Sequence, residues 1–170
     1  MTSRLLVDKI EGKSTTNTVQ MPSGTPIQLQ TTQGNFSYQE VTTTSYVEVT
    51  SMNVTISPKF ASSKIKISSQ VSWWLTSDAN NYMFLTYYRD IGGGGYSNLA
   101  DDTTYDAMQF YAPSKSATLN NCAILNFIDT PNTTSAVTYK LYCRKYDGTN
   151  HVRLKYAQTS SLMTVEEIAQ

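Results

Sequence analysis

The most constraining feature of the chain is a strict period of two between Lys64 and Trp74. Ile65, Ile67, Ser69, Val71 and Trp73 alternate with Lys64, Lys66, Ser68, Gln70 and Ser72. Successive side chains of a β-strand point to opposite faces, so one set is aimed into a core and the other away from it. The run before it, Tyr46 to Ile56, has its apolar residues at odd positions in Val47 and Val49. They then shift to even positions in Met52, Val54 and Ile56. A strand that changes phase without bending would turn half its apolar side chains to water, so the spacing predicts a bulge near Thr50–Ser51. Pro58 stops the first run, because proline has no N–H for the ladder. The two runs read as the centre of an antiparallel β-sandwich.

The rest of the chain repeats the theme. Phe36–Val41, Tyr82–Asp90, Asp106–Ala112, Lys115–Asp129, Val137–Arg144, Val152–Tyr156 and Ser161–Ile168 all read as strands. Together they make about eight to ten strands at the spacing of a sandwich. Asp147-Gly148 reads as a hairpin turn. Tyr82–Asp90 carries large residues on both faces, so the facing sheet and a neighbouring subunit are expected to cover it. Trp73 and Trp74 point to opposite faces, one of them into the core.

Residues 1–34 differ from residues 35–170, and the two are read as an extended arm and a sandwich domain. Leu5, Leu6, Val7 and Ile10 form one short apolar cluster. Val19, Met21, Ile27 and Leu29 follow, among polar and turn residues. Such a segment buries too little surface to fold alone. It reads as an arm that orders against other chains, with a disordered tail as the alternative.

Composition removes several functions. Thirteen basic and thirteen acidic residues cancel, so no excess positive charge is available for nucleic-acid phosphates. No apolar run reaches membrane-spanning length, and the N-terminus lacks a signal-peptide core, so the expectation is a protein made in a cytosol that stays there or leaves without Sec-type export. Cys122 and Cys143 have neither metal spacing nor a disulfide-framework count. They read as two buried free thiols, with a bridge as the less favoured alternative.

No residue set carries catalysis. His151 is the only histidine and is expected at the hairpin turn. Gly92-Gly93-Gly94-Gly95 fits neither phosphate-binding fingerprint and reads as a surface loop. Asp101, Asp102 and Asp106 lack EF-hand spacing, and no carboxylate pair is fixed across a cleft, so an acidic turn is preferred to calcium binding or glycoside cleavage. The expectation is no enzyme, no cofactor and no metal. Twelve tyrosines are a high number for 170 residues. Tyr82, Tyr87, Tyr88, Tyr96, Tyr105 and Tyr111 are the rings on which a sugar would stack, although such residues are more often core and subunit contacts. Tyr96, Asp101, Asp102 and Tyr105 mark the loop where a surface glycan would be met.

Three stretches carry a family resemblance. The first is Leu6-Val7-Asp8-Lys9-Ile10-Glu11-Gly12, followed by Val19-Gln20-Met21-Pro22-Ser23-Gly24 and Ile27-Gln28. The second runs from Tyr46-Val47-Glu48-Val49-Thr50 through Ser57-Pro58-Lys59 to Ala61-Ser62-Ser63-Lys64-Ile65-Lys66-Ile67. The third is Leu162-Met163-Thr164-Val165-Glu166-Glu167-Ile168. As an ordered set they resemble short tail-fibre-type and related virion structural proteins of marine and cyanobacterial tailed bacteriophages. They cover roughly half the chain; Thr76 to Ala136 matches no motif. The resemblance implies a jelly-roll-like sandwich, a homotrimer, and an arm that attaches to a tail adaptor. A capsid decoration protein held to the major capsid protein is the rival.

Overall fold

Strand β4 (Lys64–Thr76), the run with the strict alternation, lies inside one of two antiparallel sheets. The computed structural model describes residues 21–76, 81–100, 108–112, 118–146, 151–155 and 160–170. On one side β4 pairs with β8 (Thr118–Asp129). On the other it pairs with β10 (His151–Leu154) and β11 (Ser161–Ile168), which lie end to end. Beyond them β2 (Gln39–Val41) lies against β10, and β1 (Pro26–Gly34) against β11. This is sheet A. In sheet B, β9 (Val137–Lys145) lies between β3 (Val47–Ile56) and β5 (Asn81–Ile91). The far edge of β5 carries β6 (Ser97–Asn98) and β7 (Met108–Ala112) end to end.

Counting each end-to-end pair as one position, both sheets have four. Sheet A runs β1/β2, β11/β10, β4, β8, and sheet B runs β3, β9, β5, β7/β6. Successive positions along the chain alternate between the sheets except at β5 and β6/β7, which are neighbours in sheet B; this is the strand order of a jelly roll. The all-β, jelly-roll-like expectation therefore holds.

The core between the sheets is made by the inward phase of each strand. In β4 this is Ile65, Ile67, Val71, Trp73 and Leu75; in β9 it is Val137, Tyr139, Leu141 and Cys143. The phase slip in β3 is real. Val49, Met52, Val54 and Ile56 are all buried, because the register against β9 shifts between Glu48 and Asn53. Ser51 sits at the shift with φ of 67°, a left-handed conformation uncommon for serine. The side-chain amide of Gln39 stitches the bulge. Its Oε1 accepts the Thr50 N–H at 2.8 Å, and its Nε2 donates to the Glu48 carbonyl at 2.7 Å.

Five expectations are corrected. Strands β3 and β4 are not paired; they lie in different sheets. Strands β9 and β10 likewise lie in different sheets and are not paired with each other; Asp147-Gly148 lies outside the described residues. The arm does not extend to residue 34. Residues 26–34 are strand β1, bonded along β11, so Ile27 and Leu29 belong to the sandwich. Cys122 is exposed while Cys143 is buried, because the inward phase of β8 falls on Ala123 and Leu125; both thiols are free. The outward face of β5 needs no second subunit at its middle, since Phe84 and Thr86 are covered by the chain's own side chains. As expected, Trp73 is buried, and Trp74 lies on the outer face with the Arg153 guanidinium 4.6 Å from its ring.

Two carboxylates close one end of the sandwich. Ile65 of β4 is flanked in register by Glu167 on one side and Asp129 on the other. Glu167 has no exposed surface. Its Oε1 accepts the N–H groups of Lys59 (2.8 Å) and Phe60 (3.2 Å) and the Ser63 hydroxyl (2.7 Å). Its Oε2 accepts the Gln28 amide at 2.6 Å. Asp129 takes Arg89 Nη1 at 2.7 and 3.0 Å, and the Tyr139 hydroxyl at 2.8 Å. Arg89 and Tyr139 come from sheet B and Asp129 from sheet A, so this network ties the sheets together.

Candidate functional site

The outer face of sheet B gathers most of the chain's described tyrosines. Outward residues of β9 are Thr138, Lys140, Tyr142 and Arg144; those of β5 are Tyr82, Phe84, Thr86 and Tyr88. Cross-strand neighbours on one sheet face approach closely enough for ring contact, and aromatic pairs gain from it. Tyr88 and Tyr142 stack with centroids 4.0 Å apart, and Tyr46 packs on Tyr88 at 5.9 Å. At the other end Tyr82 stacks on Tyr111 at 4.6 Å and meets the edge of Tyr146 at 5.2 Å. The Arg144 guanidinium joins the two groups, 4.2 Å from the Phe84 ring and 5.2 Å from Tyr46. A guanidinium over an aromatic face is attracted by the ring quadrupole.

A charged corner borders this stripe. Lys140 Nζ donates to Glu48 Oε2 at 2.6 Å and lies 4.5 Å from the Tyr96 ring centre. The Glu48 hydrogen bond raises the Lys140 ammonium above the ordinary lysine value. Burial pushes the Tyr142 hydroxyl up, and the Glu48 charge adds to the effect. Behind the corner, Thr86 donates to Asn98 Oδ1 at 2.7 Å, and the same oxygen takes the Ala100 N–H at 3.0 Å. The glycine run makes a tight turn between β5 and β6. Gly92 N–H donates to the Ala136 carbonyl and Gly95 N–H to Asp90 Oδ1. With φ of 60°, 84° and 107° at Gly92, Gly93 and Gly95, side-chain-bearing residues would be strained there.

The middle of this face is closed by its own side chains and its rims are open. Phe84 is 2% exposed, whereas Tyr96, Tyr111 and Tyr146 are 40%, 43% and 58% exposed. Open tyrosine rings beside a lysine and an arginine suit a flat partner with one apolar face and hydroxyls at its edges, which is the chemistry of a sugar ring.

The residues marked in the sequence divide accordingly. Tyr82, Tyr88, Tyr96 and Tyr111 share this face, and Tyr87 is in the core. Tyr105, Asp101 and Asp102 lie outside the described residues, as do Leu5, Leu6, Val7, Ile10 and Val19. Met21 is exposed, just ahead of β1. Sequence reasoning did not single out Tyr46, Tyr142, Tyr146, Lys140 or Arg144. The signal for three of them was the outward phase of β9, which places Lys140, Tyr142 and Arg144 on one face. Among the described residues no group of three or more His, Cys, Asp or Glu side chains is placed to hold a metal ion, and no helix is long and apolar enough to cross a membrane.

No family model matches the chain, and no curated protein matches it. Solved structures do. A structure of infectious bursal disease virus Gx strain matches with a TM-score of 0.44 and 13% identity, covering 99% of this chain and 36% of the viral one. This chain thus spans about a third of that protein's length. The Eiger TNF of S. frugiperda matches with a TM-score of 0.46 and 11% identity, over 86% of this chain and 95% of the other. The VP2 subviral particle of infectious bursal disease virus matches at 0.40 and 13%, over 100% and 43%. None of these three is a phage tail-fibre protein.

Proposed function

We propose that the chain is a structural protein of a virus particle: a short tail fibre of a tailed bacteriophage, with its sheet B face turned to host-surface glycan. The observation that carries the reading is the meeting of the three phage-like stretches at Glu167. Gln28 comes from the first, Lys59 and Ser63 from the second, and Glu167 from the third. Residues far apart in sequence are thereby one hydrogen-bonded unit of the fold, which supports reading the three stretches as one architectural set. Jelly rolls serve viral shells and lectins alike. Fold alone does not choose between them, so recognition is assigned to the face that carries Tyr96, Tyr111 and Tyr146.

In this reading residues 1–20 are the attachment arm, with Leu5, Leu6, Val7, Ile10 and Val19 as its contacts. The sandwich assembles as a homotrimer, and the arm engages a tail adaptor. Cross-linking mass spectrometry on intact virions tests the arrangement. Links from Lys9 or Lys13 to a tail protein, with links between copies of the chain, are the expected result. Links to the major capsid protein would replace the fibre with a decoration protein, and absence of the chain from purified virions would overturn both. Glycan-array binding lost on Tyr96→Ala or Tyr146→Ala supports the recognition face; binding unchanged by both removes it.

A further inference from the structure

A second site lies away from the tyrosine face, where the β3 bulge meets the break between β10 and β11. At that break Lys155 has φ of 59°, and its N–H donates to the Ser72 carbonyl at 2.7 Å. At the bulge Ser51 has φ of 67°. Non-glycine residues in left-handed conformations cost free energy and gather at functional sites. Between them opens a cleft of about 460 Å³, lined by Asn35, Phe36, Ser37, Tyr38, Thr50 and Lys155 among others. That volume is within the range of small-molecule sites, roughly 300–1,000 Å³.

The chemistry of the cleft is set by Lys155. The residue is 2% exposed, and its Nζ donates to the Thr50 carbonyl at 2.8 Å. An ammonium has three N–H donors, and among the described residues the Thr50 carbonyl takes one of them. Among the described residues no carboxylate stands within ion-pair distance of it. Burial lowers its pKa. The Gln39 amide beside it is already spent on Glu48 and Thr50. At the mouth the Tyr38 ring is 61% exposed.

We propose that this cleft binds the carboxylate of an acidic sugar, with Lys155 as the cation, Asn35 and Ser37 as partners for hydroxyls, and Tyr38 as the stacking ring. The alternative occupation, by a bare inorganic anion, uses the same ammonium without Tyr38. The proposal stands apart from the recognition face on sheet B, which contains none of these residues.

Amide NMR titration of the full chain tests it, with methyl β-D-glucuronide, the neutral methyl β-D-glucoside and inorganic phosphate as probes. The glucuronide is expected to shift residues 35–39 and 155 saturably, and the glucoside is expected to leave them in place. Lys155→Met should weaken the glucuronide by roughly tenfold or more, the scale of one charge-assisted hydrogen bond. Tyr38→Ala removes only an exposed ring, so it keeps the test open if Lys155→Met does not fold; it should weaken the glucuronide several-fold and leave phosphate unaffected. Equal binding of glucoside and glucuronide, no shift with either, or glucuronide affinity indifferent to both substitutions would overturn the proposal. Phosphate binding as tightly as the glucuronide would reduce the site to an anion site and overturn the sugar assignment.

Discussion

Glu167 shows how much one side chain can hold at the end of a sandwich. Its two oxygens gather donors from Gln28, Lys59, Phe60 and Ser63, and none of the carboxylate is exposed. The Gln28 amide also reaches the Ser57 carbonyl at 2.7 Å, so the β3–β4 turn is pinned from two directions. Glu167→Ala would leave the part-buried Lys59 and Phe60 N–H groups and the buried Ser63 hydroxyl without this acceptor. Each such group costs about 1–3 kcal/mol, and a total near 3 kcal/mol is expected after partial relaxation. For a domain of this size that corresponds to a fall in Tm on the order of 6–12 °C, measured by thermal circular dichroism. Glu167→Gln keeps one acceptor oxygen but sets an NH₂ group against donors, so its fall should be smaller but clear. Equal stability of all three proteins would show that the turn is held by something else.

At the scale of elements, the strand that matters most is β1. It pairs along β11 from Pro26 to Gly34. Its start is tied to the chain's far end, through Gly24 N–H to the Ala169 carbonyl and Ala169 N–H to the Thr25 carbonyl. A chain lacking residues 1–20 should therefore fold with its Tm nearly unchanged. A chain lacking residues 1–34 should lose the β11 edge and Gln28, and melt well below the first or aggregate through the bared edge. Matching melting curves for the two truncations would contradict the pairing. The same element shows what was legible in the sequence. Strand existence was legible, because alternation is local, and so was the Ser51 bulge, because a phase slip needs only Val49 and Met52 to be seen. Sheet membership was not. Strands β3 and β4 are joined by a short turn and read as a pair, yet the turn carries the chain across the core, and β9 and β10 repeat the error. Polar Gln28, Gln30 and Gln33 hid β1 as arm, since an edge strand lacks the apolar count of a central one. At the face on sheet B, four of its tyrosines stood out by residue type. Their meeting with Arg144 and Lys140 did not, because it depends on the register of β5 against β9.

At the scale of the molecule, several titratable groups are locked between the sheets. The Tyr87 hydroxyl donates to the Leu125 carbonyl at 2.9 Å and accepts the Ser69 hydroxyl at 2.7 Å. Burial raises its pKa well above the ordinary tyrosine value. Tyr139 is raised by burial and then by the Asp129 charge, and Cys143 by burial. In the unfolded chain such groups ionise near pH 9–10, at about their reference values. The folded chain keeps their protons, so it binds more protons than the unfolded one in alkali, and stability falls as pH rises. Lys155 acts in the opposite sense. Its lowered pKa means the folded chain gives up that proton first, so this single group adds stability as pH climbs toward the ordinary lysine value near 10.4. Three groups against one give a net loss. Each unopposed group removes about 1.4 kcal/mol per pH unit above its unfolded value. Denaturant unfolding between pH 8 and 11 should show stability level to about pH 9 and then falling. Tyr87→Phe should start lower but fall less steeply, and parallel slopes would count against Tyr87 as a source.

The place of β11 has a consequence for synthesis. Thr31 of β1 meets Thr164 of β11, 133 residues further on, and β11 lies between β1 and β4. A ribosome adds about 5–20 residues each second, so β1 waits on the order of ten seconds for its partner. Sheet A cannot close as the chain emerges, because a middle strand arrives after its flanks. Pairing at such separation also makes for slow closure once the strand is there. A strand of Gln28, Gln30, Thr31, Thr32 and Gln33 withstands that delay in water better than an apolar one, so its polarity protects the nascent chain as well as the finished edge.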